Sequence, residues 1–159
     1  MRRYLILVLG TVLAIAMLAQ APAASSAERK VLQFDTMAPV TGPFVGSANP
    51  IRNINGGGLP WKIDEGKGKL TSGGDVDVRV RGLVLLDGEN PVPFFQAIVS
   101  CLSIDGDQVI TVNVATAPFP ASTSGDSHIK DTVALPTPCV APIVFVGPSA
   151  TTWFAATGQ

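Results

Sequence analysis

The sequence predicts an all-β fold, an antiparallel β-sandwich of about eight short strands with one disulfide, and three observations carry that prediction. Beyond residue 27 the chain holds 15 Gly and 12 Pro, a density of breakers that leaves no long uninterrupted helical window. Runs rich in Val, Ile, Thr and aromatic residues recur about every ten residues, each bounded by Gly, Pro, Asp or Asn, as in sandwiches and barrels. In residues 75–81 Val76, Val78 and Val80 alternate with Asp75, Asp77, Arg79 and Arg81, the two-residue period of a strand with one packed and one wet face. Immunoglobulin-like and jelly-roll topologies both satisfy this pattern.

The elements follow in chain order. Arg2 and Arg3, an uncharged apolar run of 16 residues from Tyr4 to Ala19, and the small-residue stretch ending Ser25-Ser26-Ala27 have the three regions of a secretory signal peptide. The run is shorter than the roughly 20 residues a spanning helix needs, so cleavage after Ala27 is expected, not anchoring. Residues 28–159 are then expected to form a single sandwich domain, secreted to the extracellular space or the periplasm. Val31–Asp35 is the first strand candidate. A long irregular segment follows through Pro39, Pro43, Pro50 and Gly56-Gly57-Gly58 to Pro60. Residues 61–70 and 75–86 flank Thr71-Ser72-Gly73-Gly74, whose glycines admit positive φ at a hairpin turn. The alternation becomes a continuous apolar run at Leu83–Leu86, as for a strand passing under a covering element. Residues 94–103 and 109–116 form a second strand pair around Asp105-Gly106-Asp107, and residues 128–135, 143–146 and 152–156 complete the set. The Pro-rich pieces 117–120 and 136–142 read as rigid crossovers.

Cys101 and Cys139 are the two cysteines. An even pair in an exported chain implies a structural disulfide, because a redox or metal pair wants close spacing and histidine partners. After signal removal nine bases face twelve acids, net −3, so neither nucleic acid nor an anionic membrane is an expected partner, both being bound through clustered Lys and Arg.

Chemistry-bearing constellations are sparse. His128, the only histidine, follows Gly125-Asp126-Ser127, a block superficially like one in an esterase family. That chemistry needs a histidine brought from elsewhere onto the serine, and here it is the serine's neighbour, so a surface histidine is expected. Asp105-Gly106-Asp107 lacks the further oxygens a Ca²⁺ ion requires and reads as a turn. Asp64, Glu65, Asp75 and Asp77 supply carboxylates for an alternative function, a small carboxylate-dependent glycan hydrolase, although adjacent strand residues face opposite ways. No nucleophile, base and orienter set, metal cluster or cofactor motif assembles from this inventory. The expectation is therefore a non-enzymatic binding or structural module with no metal or cofactor, its extracellular ligand a glycan or a protein.

Four blocks, Gly42-Pro43-Phe44-Val45-Gly46, Gly58-Leu59-Pro60-Trp61, Asn90-Pro91-Val92-Pro93-Phe94-Phe95 and Pro138-Cys139-Val140-Ala141-Pro142-Ile143-Val144-Phe145-Val146, spread over nearly all of the mature chain. In them it resembles secreted bacterial proteins of similar size. The resemblance implies export and carries no activity or site residue.

A ligand site, if the loops form one, is expected in the irregular segment from Pro39 to Trp61, since long loops in compact domains are usually functional or disordered. Phe44, Ile51, Ile54, Leu59 and Trp61 give that segment enough apolar content to pack over one end of the sandwich. Arg52, Asn53 and Asn55, with Asn49, would rim a shallow groove beside Trp61, whose indole offers a sugar-stacking face. The competing expectation is a packed cover over an open sheet edge, with Trp61 and Trp153 at the edge of the core.

Overall fold

Residues 28–157 are described by the computed structural model; the expected signal segment, residues 1–27, lies outside them. Their strands are β1 (Lys30–Phe34), β2 (Met37–Pro39), β3 (Asn55–Gly56), β4 (Trp61–Lys62), β5 (Glu65–Thr71), β6 (Asp75–Arg81), β7 (Val84–Leu85), β8 (Phe94–Asp105), β9 (Gln108–Ala115), β10 (Phe119–Pro120), β11 (Ser127–Thr132), β12 (Val140–Gly147), β13 (Thr152–Trp153) and β14 (Ala155–Thr157). A 3-10 turn at Gly42–Phe44 is the one helical element among the described residues. The fold is all-β, its main ladders are antiparallel, and Cys101 is bonded to Cys139.

Two sheets face each other. The first has the order β1-β5-β6-β11; the second runs β10-β8-β12-β14-β2, with β9 also paired to β8. Valines on alternate positions of β6, Val76, Val78 and Val80, are buried in one apolar core that also includes Phe95, Ile98 and Phe145 of the second sheet and Ile129 of β11. Each such side chain contributes about 1.5–3 kcal/mol on full burial. The alternate residues of β6 turn their charges outward, as the period requires. On one side of the sandwich β1 leads into β2 across Asp35 and Thr36, so one interrupted strand serves as the edge of both sheets. On the other side Ser127 Oγ donates to Pro120 O at 2.9 Å and Ala117 N donates to Asp131 Oδ2 at 2.9 Å, tying β11 to the second sheet at β10.

The hairpin around residues 71–74 is present, with Gly74 at φ 91° and its N–H donating to Thr71 O. Only glycine fits there, because a Cβ would be driven into the backbone of Val133 and φ is positive. Its two arms differ from the two uninterrupted strands the sequence predicts. Both break at the same level, at Ile63-Asp64 and at Gly82, which has φ 62°. Beyond the break Trp61 and Lys62 pair with Leu85 and Val84 in the same register as β5 with β6. The hairpin is thus one long ribbon with a kink, stitched by Asp64 N donating to Arg81 O. Leu83 is buried as the apolar run requires, but Leu86 lies exposed in the turn that follows β7, because the strand has already ended.

Two Pro-rich pieces read as crossovers also contribute to the sheets. Phe119–Pro120 forms β10, and β12 begins at Val140, three residues ahead of the expected start. The early start produces a bulge: the β12–β8 register shifts between Val140 and Ile143, and Ala141 takes φ 46°.

Candidate functional site

Residues 39–61 pack as a cover over the sandwich. Trp61 N donates to Val40 O, Gly46 N to Gly57 O, Gly56 N to Gly46 O and Gly57 N to Trp153 O, so much of this stretch is pinned by its own backbone hydrogen bonds. Asn55 and Gly56 pair in parallel with Thr152 and Trp153. Gly57 is buried where a Cβ would meet the ring of Phe154 and the indole nitrogen of Trp61; only a residue without a side chain permits this approach.

The four residues expected to form a ligand groove occupy different environments. Trp61 is 3% exposed and stacks on Phe154 with ring centroids 3.7 Å apart, so its indole is part of the core and presents no open face. Arg52 (φ 50°) and Asn53 (φ 66°) are the central pair of a tight turn closed by reciprocal backbone hydrogen bonds between Ile51 and Ile54, both 3.0 Å. Positive φ at both central positions is the type I′ requirement. The guanidinium of Arg52 is spent internally: Nη2 donates to Ala141 O at 2.9 Å and Nη1 to Ser100 O at 3.2 Å. It fills the gap the β12 bulge opens in the β8–β12 ladder, and Asn113 Nδ2 anchors the turn by donating to Arg52 O at 2.8 Å. Asn55 is half-buried in β3, its N–H donating to Thr151 O. Asn53 is exposed, whereas Trp61 is buried.

Side chains do converge on the outer face of the first sheet. Lys67 of β5 lies directly opposite Arg79 of β6, and Arg79 directly opposite His128 of β11, so one cross-strand row carries three basic residues. All three are exposed. The directly opposed charges of Lys67 and Arg79 repel, and Glu65 offsets both, more strongly at Lys67. Lys67 pairs with Glu65, which also lies 3.6 Å from Arg81, and His128 Nε2 is 2.8 Å from Asp77 Oδ1. Arg79 has no ion-pair or side-chain hydrogen-bond partner among the described residues. A shallow groove of about 270 Å³ opens on one side of the row, where the bases Lys67, Lys69 and Arg79 face the acids Asp35 and Asp77, with Gln33 and Phe34 completing its side-chain lining. The next row, Lys69–Asp77–Lys130, alternates in sign. Ser127 Oγ, which the Gly-Asp-Ser-His string places next to the histidine, donates instead to Pro120 O.

The carboxylates of this face are committed locally. A hydrogen bond from Lys67, with the charges of Lys67, Arg81 and Arg79, holds Glu65 below the ordinary carboxylate range against a smaller opposing effect of burial. Asp75 is lowered by hydrogen bonds from the Thr132 hydroxyl, at 2.8 Å, and from Glu28. Glu28 is raised by that same hydrogen bond with Asp75 and then by the Asp75 charge.

The signs follow from linkage. Asp75 stabilises the fold above its unfolded value, and that contribution is lost as pH falls through its lowered folded value. Glu28, raised, binds its proton more tightly in the folded state, so its contribution is lost as pH rises through its folded value. Carboxyl ¹³C NMR titration should place the Glu28 midpoint above and the Asp75 midpoint below ordinary values. Asp75→Asn should return Glu28 toward its ordinary value; an unmoved Glu28 midpoint would break the assignment.

No family model, curated protein or solved structure matches the chain, so its functional reading rests on the chemistry of this face.

Proposed function

We propose that the chain is a secreted, non-enzymatic binding module that takes an acidic glycan, one bearing carboxylate or sulfate groups, on the outer face of its four-stranded sheet. The observation that carries this reading is the basic row Lys67–Arg79–His128 with Arg79 unpaired at its centre. A planar guanidinium is the side chain best matched to a carboxylate or sulfate, and an anion there relieves the like-charge contacts of the row. The disulfide fits an oxidising compartment, which accords with the export segment at residues 1–27, and no helix among the described residues is long and apolar enough to cross a membrane. Interspersed acids, Asp77 in the next row and Glu65 beside Lys67, favour spaced single charges over a continuous polyelectrolyte.

Binding of wild type and Arg79→Gln to an immobilised uronate or sulfated polysaccharide, with a neutral polysaccharide as control, tests the proposal. Retention of wild type on the acidic matrix alone is expected, with Arg79→Gln weaker by about tenfold, the worth of one charge-assisted bidentate contact. Equal retention of both proteins, or of wild type on the neutral matrix, would overturn it. The contending reading, a carboxylate-dependent hydrolase using Asp64, Glu65, Asp75 or Asp77, predicts reducing-end release from the same polysaccharides, lost on Asp→Asn substitution.

A further inference from the structure

The sandwich leaves one long strand edge uncovered. β1 and β2 close one side as two parts of an interrupted strand, and β10 and β11 are tied together on the other, but β9 pairs with β8 alone among the described residues. Natural sheets blunt such edges with charge, Pro, bulges or short strands. β9 has none of these. Its eight residues, Gln-Val-Ile-Thr-Val-Asn-Val-Ala, carry no charge and no Pro, and its pairing with β8 is regular from Gln108 to Ala115.

The direction of its free peptide groups follows from register. Thr116 N donates to Ala97 O, and antiparallel pairs alternate between bonded and non-bonded. The bonded pairs are therefore Val114–Val99, Val112–Cys101 and Ile110–Ser103, which leaves the N–H and C=O of Val109, Thr111 and Asn113 pointing away from β8. The side chains around this edge are apolar and open: Val109 is 71%, Ile104 58%, Val140 52% and Ile110 37% exposed.

The geometry points to a second copy of this chain as the occupant, docked by antiparallel β9–β9 pairing about a two-fold axis at Thr111. With Thr111 opposite its own counterpart, Val109 of each copy bonds to Asn113 of the other, giving on the order of six main-chain hydrogen bonds. Ile110 of each copy then lies in a close non-bonded pair with Val112 of the other. The absence of charge matters here, because a charge at or beside the axis is brought close to its own copy, and β9 brings none. The self-complementary contact is isologous and closes at two subunits, lengthening the second sheet across both copies.

Sedimentation velocity of the intact oxidised protein, up to about 100 µM, with Thr111→Lys and Thr111→Glu variants, tests the proposal. Wild type is expected to sediment as a dimer. Each variant alone should dissociate at concentrations at least about tenfold higher, since the axis doubles the new charge. An equimolar mixture of the two should regain the dimer, a rescue that a merely misfolded variant cannot give. Monomeric wild type throughout the range, dimers undisturbed by either substitution, or a mixture that stays monomeric would each overturn the proposal.

Discussion

Trp61→Ala should lower unfolding free energy by about 3–5 kcal/mol, the range for truncating a large buried aromatic. The indole is 3% exposed, stacks on Phe154 at 3.7 Å and crowds Gly57. Phe154 in turn meets Phe95 edge-on, with ring centroids 6.1 Å apart. Removing the indole therefore leaves a cavity lined by aromatic rings that cannot collapse without moving β4 and the cover of residues 39–61. Urea denaturation with unchanged slope and a lowered midpoint is the expected result. A midpoint shift equivalent to under about 1 kcal/mol would mean that Trp61 is dispensable to the core. Since the substitution acts on packing, a loss of ligand binding in Trp61→Ala would have to be judged beside that stability loss.

Replacing both Cys101 and Cys139 by Ala should cost about 4 kcal/mol in the chain-entropy treatment of the loop they close, whose ends are 38 residues apart. In a domain of this size that corresponds to a fall in Tm of roughly 10–20 °C. The bridge ties the middle of β8 to the residue before β12, next to the bulge that Arg52 plugs. Its loss releases the stretch from Val133 to Cys139 that connects β11 of the first sheet to β12 of the second. Differential scanning calorimetry of the double variant checks this, and a Tm within about 3 °C of wild type would show that the bulge and its arginine clamp hold β12 unaided.

What could be read in the sequence was local. The period of Val76, Val78 and Val80 needs only seven residues to declare a face, and the glycines after Thr71 declare the turn, so the hairpin and its charged outer face were legible. So was the disulfide, from the parity of two cysteines in a chain expected to be exported. The kink in the hairpin was not, because Ile63-Asp64 and Gly82 break their strands together only once the arms are in register. That residues 39–61 carry enough apolar content to pack as a cover was legible, but side-chain direction was not: Arg52 reaches the bulge at Ala141 and Trp61 the ring of Phe154, each some 90 residues further on. The basic row was half visible: Lys67 and Arg79 are matched by the hairpin itself, whereas His128 joins them through β11, whose pairing with β6 no local pattern announces.

The second and the last strands of the described residues are neighbours: Met37, Ala38 and Pro39 pair with Thr157, Ala156 and Ala155, and β14 in turn lies against β12. In kinetic terms this is a high contact order, which in all-β proteins sets folding on the millisecond-to-second scale. Until residues 37–39 meet residues 155–157, β2 has no ladder partner, and until Phe154 arrives with them Trp61 has no ring to stack on.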